Sequence, residues 1–369
     1  MNLNKTEILK IIDKTVGVMV TNLLPQKKER IPSKKYKKIL IIRPGGIGDA
    51  ILLIPAIKAL KAKYHDHKIT VLCEKRNSAV FPLCPEIDKI YLYDSPKELL
   101  RCVAQKYDIV IDTEQWHMLS AVAGYFTFAP KTLGFVTNER KRLFTETISY
   151  SHDDYEVISF FNLFAPLLDN QKMEFNVDEP FIKLDEVFIE DAKKIILRDL
   201  DNFIVIFPGA SVSQRRWGGW RFGTLAKRLY DHGINIVILG SDPDIRDSHT
   251  IKELCPEAVN LTTQTTLKQT AAILKTSRLL ITADSGIMHL AYALGTKTIS
   301  LFGSGIEVKW APKGKGHSVI NKQLLCSPCT KFGYTPECEY KIKCLDSITV
   351  SEVEKEAVTR FKQIQNEPK

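Results

Sequence analysis

Apolar positions along this chain fall into two series, each alternating short continuous runs with longer stretches at helical spacing. In the first series, residues 38–42, 68–73, 87–93 and 108–112 are runs that predict buried strands, while 50–64 predicts a helix. A further apolar helix is expected over 152–170. The polar stretch Asn176-Val177-Asp178-Glu179-Pro180 then breaks the pattern and reads as a linker. The series restarts with strands expected at 203–207, 234–239, 278–282 and 297–302, and helices at 222–232, 266–276 and 285–295. Strands alternating with helices predict parallel sheets covered on both faces. The expectation is therefore α/β, with two such domains facing each other across a cleft. The boundaries read as a leader over 1–37, a domain over 38–175, a linker over 176–184, a second domain over 185–350 and a C-terminal helix over 351–369.

The leader has its own pattern. Ile8, Ile12, Val16, Met19 and Leu23 recur at helical spacing, Leu9, Ile11 and Val20 broaden the stripe, and Pro25 ends it. The first 40 residues hold ten Lys/Arg against three acidic residues, so +7 of the net charge of +9 belongs to this segment. An amphipathic helix beside a polybasic stretch reads as an anchor on an anionic membrane surface, or as a helix packed on the first domain with a solvated linker behind it. Nucleic acid is not expected as a partner, because Tyr36 alone interleaves the basic residues with an aromatic ring. An apolar content of 44% and a charged content of 26% are those of an ordinary globular protein. No run reaches the roughly 18 apolar residues of a membrane span, and the N-terminus lacks the pattern of a signal peptide. The expected location is cytoplasmic.

Chemistry concentrates where strands end in small residues. Arg43-Pro44-Gly45-Gly46-Ile47-Gly48-Asp49 follows the first strand, and Gly45, Gly46 and Gly48 form a turn whose amides a ligand can approach closely. Asp49 has two readings there: a carboxylate complementing the helix dipole, or a general base. The glycine spacing does not match the G-x-G-x-x-G dinucleotide fingerprint, although Glu74 ends the second strand as a ribose-binding acid would. In the second half, Pro208-Gly209-Ala210-Ser211 leads into Arg215, Arg216 and Trp217, and Asp284-Ser285-Gly286 opens a helix bearing His289. Ser211, Arg215, Arg216, Ser285 and the Gly286 amide suit a diphosphate, since guanidinium forks match its oxygens. Asp284 would accept hydrogen bonds from sugar hydroxyls. Asp242-Pro243-Asp244 has the look of a metal-binding pair, yet turn residues of these types follow many strands. Cys326, Cys329, Cys338 and Cys344 stand at C-x2-C-x8-C-x5-C, which reads as a structural zinc site, as disulfides or as free packing thiols.

Taken together these blocks resemble glycosyltransferase family 9, the bacterial lipopolysaccharide heptosyltransferase family. The similarity rests on Ile41 to Leu52 with Pro55-Ala56-Ile57, on Pro208 to Ser211 with Arg215-Arg216-Trp217 and Arg221-Phe222, and on Asp284 to Ala291 with Leu301-Phe302-Gly303. Trp310-Ala311-Pro312 and the Cys-x-Pro-Cys stretch are similar as well. The resemblance implies a GT-B fold of two Rossmann-like domains, with acceptor on the first and nucleotide-sugar on the second. It implies inverting transfer of a heptose or related sugar from an ADP-sugar to a lipid-linked saccharide, without metal or other cofactor. Asp49 falls on the family's catalytic base, and Arg215 and Arg216 on its basic residues near the donor phosphates. Gly218-Gly219 stands where a proline is usual. Two other classes remain open at this level: a non-catalytic nucleotide-sugar-binding protein and a Rossmann-type oxidoreductase.

Overall fold

A computed structural model of the chain describes residues 12–31, 36–170, 174–194, 200–332 and 334–365. The chain divides into two compact units, Met1–Phe175 and Asn176–Lys369.

In the first unit β1 (Lys38–Arg43), β2 (Lys68–Cys73), β3 (Lys89–Leu92), β4 (Ile109–Asp112), β5 (Lys131–Phe135) and β6 (Glu146–Ile148) form one sheet in the order β3-β2-β1-β4-β5-β6. Every pairing is parallel, and Ile39 is in register with Ile69 on one side and Ile109 on the other. Ile39, Leu40, Ile41 and Ile42 are all fully buried, which is why β1 reads as a continuous apolar run instead of an alternating one. The helix expected over 50–64 begins earlier and is divided into Ile47–Leu52 and Ile54–Lys63. Pro55 has no N–H to give the turn before it, which breaks the ladder at Leu53. The helix expected over 152–170 is confined to Glu156–Phe164, followed by a 3-10 turn at Ala165–Leu167.

Of the leader's two readings, the described part shows a helix packed on the first unit, and it packs by its polar side. Ile8, Leu9 and Ile11 lie outside the described residues; from Asp13 the chain makes a π-helical turn and then the helix Val18–Leu23. Its buried positions are Asp13, Gly17 and Thr21, while Ile12, Val16, Met19 and Leu23 are exposed. The apolar stripe thus faces solvent, and the opposite, polar face packs on the unit. A helix terminus explains the choice. The Asp13 carboxylate accepts hydrogen bonds from the Met118 and Leu119 amides at 3.1 and 2.8 Å. It thereby satisfies free N–H groups at the start of the helix Met118–Phe126. Gly17 permits the close approach, since a Cβ there would lie 3.1 Å from that of Met118.

The second unit repeats the architecture. β7 (Phe203–Phe207), β8 (Asn235–Ile238), β9 (Val259–Asn260), β10 (Leu279–Ala283), β11 (Thr298–Phe302) and β12 (His317–Asn321) form a parallel sheet in the order β12-β11-β10-β7-β8-β9. The helix expected over 222–232 spans Gly219–Asp231. It begins early because Gly218 turns the chain at φ +100° and Gly219 presses against the helix Ile245–Leu254, where a Cβ would lie 2.8 Å from the Asp247 backbone. Trp217 is fully buried, stacks edge-on to Phe222 at 4.9 Å, and donates its indole N–H to the Ile348 carbonyl at 3.0 Å. The C-terminal helix Val350–Gln365 adds Val353, Ala357 and Phe361 to the same core.

Both sheets have the doubly wound strand order in which chain direction reverses between the first and fourth strands of the unit. In the first unit that point lies between β1 and β4, in the second between β7 and β10. Ligands of such sheets bind beyond the carboxyl ends of those strands. The turns at Gly45–Asp49, Gly209–Arg216 and Asp284–Gly286 follow β1, β7 and β10 respectively.

Candidate functional sites at the two switch points

Beyond β1, the backbone turns at Gly45 (φ +112°) and enters the helix Ile47–Leu52 with Gly46 as its N-cap. Only Gly45 of the two is constrained: a Cβ there would lie 3.0 Å from Arg43 Nη2, whereas one on Gly46 would touch nothing. Gly48 and Asp49 lie in the first helical turn. The Asp49 side chain is 29% exposed, and its carboxylate sits 3.7 Å from Arg43 Nη2. It makes no capping bond.

Arg43 is a residue to which sequence reasoning assigned no role. It is buried, donates to the Pro44 carbonyl at 2.7 Å and to the Thr113 carbonyl at 2.9 Å, and lies 3.4 Å from Glu114 Oε2. Burial raises the Glu114 carboxyl, but the charges of Arg43, His117 and Arg140 outweigh it and hold the group at about 2. Deeper still, Asp112 and Arg140 form a fully buried ion pair. Glu156, also fully buried, accepts hydrogen bonds from Gln115 at 2.6 Å and Tyr150 at 3.0 Å. The Asp112-Thr113-Glu114 run at a strand end was a signal for this network. Arg140 and Glu156 had none, because their partners are distant in sequence.

Beyond β10, Ser285 caps the helix Gly286–Ala293, accepting from the Met288 amide at 3.3 Å and lying 3.1 Å from the Thr282 hydroxyl. Its hydroxyl is therefore occupied by the fold, while Gly286 provides the first amide of the helix. Asp284 is buried, with one oxygen 2.9 Å from Arg215 Nη1. Arg215 also lies 3.3 Å from the Thr330 hydroxyl and 5.8 Å from the Trp310 ring. Three buried side-chain atoms of this group have no hydrogen-bond partner: Arg215 Nε, His289 Nδ1 and Asp284 Oδ2, the last held only by its ionic contact with Arg215. Burial lowers the His289 pKa to about 4, with Asp284 acting against the shift and Arg215 for it, so the imidazole is neutral near pH 7.

The structure does not bring Arg216 to this group. Arg216 pairs with Asp244 at 2.7 Å and Asp247 at 3.1 Å. The backbone amide and the hydroxyl of Ser241 both donate to Asp244 at 2.9 Å, which explains Asp242-Pro243-Asp244 as a capped turn that locks Arg216. Ser211 is exposed on the loop after β7.

All eight cysteines are free thiols. Cys344 is buried and Cys326 exposed; burial raises the Cys329 and Cys344 thiols, and neighbouring cysteines push in the same direction. Among the described residues, no group of three or more His, Cys, Asp or Glu side chains is arranged to hold a metal ion. The cysteine loop nonetheless adjoins the Arg215 group, since the Cys329 and Thr330 amides donate to the Ser304 carbonyl and the Thr330 hydroxyl meets Arg215.

Comparison with known proteins identifies the family. The family model for glycosyltransferase family 9 (heptosyltransferase) matches residues 97–338. Lipopolysaccharide heptosyltransferase 3 of Escherichia coli is 26% identical over 297 residues, spanning 72% of this chain and 83% of that protein. The structure of E. coli ADP-heptose lipopolysaccharide heptosyltransferase II superposes with a TM-score of 0.73 at 22% identity, covering 89% of this chain and 99% of that one. A second E. coli heptosyltransferase, solved with ADP-2-deoxy-2-fluoro heptose, has a TM-score of 0.66 at 16% identity, over 87% of this chain and 99% of its own.

Proposed function

Because this chain belongs to glycosyltransferase family 9, and is thus a glycosyltransferase of GT-B fold, we propose that it transfers a heptose or related sugar from an ADP-sugar to a lipopolysaccharide or other lipid-linked saccharide. Family membership sets aside the oxidoreductase reading. The observation that carries the donor assignment is Arg215: half-buried, held by Asp284 beside the Gly286 helix start, and retaining a buried Nε–H without a partner. A guanidinium and a helix N-terminus together offer fixed positive charge to a diphosphate. The ADP-heptose analogue bound to a structural neighbour supports the choice of nucleotide.

In this reading Asp49 takes the proton of an acceptor hydroxyl as its oxygen attacks the anomeric carbon. The bond from that carbon to the diphosphate breaks on the opposite face, and ADP leaves with the electron pair. Configuration inverts. Arg215 and the Gly286 amide offset the charge growing on the departing phosphate, the task a divalent cation performs elsewhere, so transfer proceeds without metal. Asp284 orients Arg215 and accepts from a sugar hydroxyl. Neutral His289 presents a hydrogen-bonding nitrogen at the same place. Arg216, tied to Asp244 and Asp247, shapes the loop around Ser211 instead of touching phosphate. Nucleotide-sugar and lipid-linked acceptor would meet on the cytoplasmic face of the inner membrane.

Thermal-shift binding of ADP, UDP, GDP and CMP tests the donor assignment. A ligand at about 100 times its dissociation constant adds about 2.7 kcal/mol of stability. Selective stabilisation by ADP, lost in Arg215→Ala, is the expected result. Preference for another nucleotide would replace the sugar donor, and no response to any of them would overturn the site.

A further inference from the structure

The leader helix turns its hydrophobic side outward. Met19 is 57% exposed and Leu23 75%, with Ile12 and Val16 on the same face. Asp13, Gly17 and Thr21 occupy the opposite side and dock onto the helix Met118–Phe126. The orientation is anchored at several points. Lys27 donates its side chain to the Tyr125 carbonyl at 3.2 Å and its amide to the Arg142 carbonyl at 2.8 Å, while Leu24 packs against Ala121, Leu143 and Phe144. Leu23 and Leu24 therefore point to opposite environments.

Exposed aromatic groups lie beside this helix. The Tyr125 ring that receives Lys27 stacks on Phe126, which stacks on Phe128. Phe126 is 41% exposed and Phe128 65%, the latter in a left-handed backbone conformation (φ 56°) that a bulky residue adopts at a cost. Basic residues flank the apolar surface. Lys14, Lys28 and Arg30 are exposed. Glu29 is the lone acid between Lys14 and Lys38.

We propose that the outward side of the leader helix, Ile12, Val16, Met19 and Leu23, together with the exposed Lys14, Lys28 and Arg30 and the neighbouring Phe126 and Phe128, docks the protein onto an anionic lipid bilayer. Apolar side chains beside clustered lysines match a boundary with acyl chains below and negative headgroups above. Docking is peripheral, since no helix among the described residues is long and apolar enough to cross a membrane. The fold spends the polar side of the helix on its own surface and leaves the hydrophobic side for the lipid.

Flotation of the full chain with vesicles tests this. Binding to phosphatidylethanolamine–phosphatidylglycerol vesicles should exceed binding to phosphatidylcholine vesicles and should weaken in high salt. Met19→Asp with Leu23→Asp, and separately Lys28→Glu with Arg30→Glu, should each lower partitioning by about tenfold or more while the melting temperature stays unchanged. Undiminished flotation of the Asp pair would overturn the proposal. So would a wild-type dimer that the Asp pair converts to monomer, because a second copy would then cover the face. Vesicles without acceptor or donor keep this result separate from the glycosyltransfer reading, and transfer to a water-soluble acceptor should persist in both double variants.

Discussion

Asp49 and Arg215 sit in contrasting local environments, one carboxylate partly open to solvent and one guanidinium held by a buried carboxylate. Asp49 is partly exposed, with Arg43 3.7 Å behind it and Glu114 3.4 Å from the same guanidinium. Arg43 thus balances two carboxylates, only one of which reaches solvent. Asp49→Asn should lower the transfer rate by about 10²–10⁴-fold, the usual worth of a positioned base, and leave nucleotide-induced stabilisation intact. Normal turnover by this variant would favour a non-catalytic role for the turn. His289 offers a test that needs no substrate. Its folded pKa of about 4 lies below the ordinary 6.5. Between those values the unfolded chain binds a proton that the folded chain refuses, so stability falls as pH drops through that window. His317, shifted the same way by burial, falls with it. His289→Asn should cost stability near neutral pH, and denaturant titrations should show the gap from wild type narrowing by about 1–3 kcal/mol toward pH ~4. A constant gap would mean that the imidazole is hydrated or paired in solution.

At the scale of elements, close contacts decide where helices begin and which face they bury. The helix Gly219–Asp231 lies against Ile245–Leu254 with Gly219 at the contact, its amide bonded to the Asp247 carboxylate at 3.1 Å. Gly219→Ala places a methyl 2.8 Å from Asp247 backbone atoms that have no flexible end to swing away. A loss of about 1–3 kcal/mol is expected from such overpacking, read as a lowered melting temperature. Arg216 is held from the same helix by Asp247, so nucleotide binding should weaken too. The leader obeys the same logic in reverse. Its periodicity marks an amphipathic helix, but the capping value of Asp13 and the small radius of Gly17 select the polar face for burial.

For the whole molecule, one strand order used twice puts a glycine-bearing turn with a candidate carboxylate at the switch point of each sheet. Hydrogen exchange with and without ADP locates the donor unit. Protection is expected in the turns at Gly209–Arg216 and Asp284–His289, with the β1 turn at Gly45–Asp49 unchanged by nucleotide alone. Protection confined to the β1 turn would reverse the assignment of donor and acceptor.

The parallel α/β class and most strand positions were legible in the chain because buried parallel strands are continuous apolar runs, and the glycine-rich turns marked where those strands end. Asp49, Asp284, Ser285, Gly286, His289 and Arg215 were legible as candidate residues from their place in those turns. Partnership was not. Arg43 with Glu114, Asp112 with Arg140, Gln115 with Glu156, and Arg216 with Asp244 and Asp247 join residues from separate elements, and hydrophobic periodicity carries no information about which charges meet. That Arg215 and Arg216, adjacent in the chain, turn to different carboxylates was decided in three dimensions. So was the face the leader hides, because a helix chooses by the free energy of the surface it meets, and that surface exists only once the rest of the unit has folded.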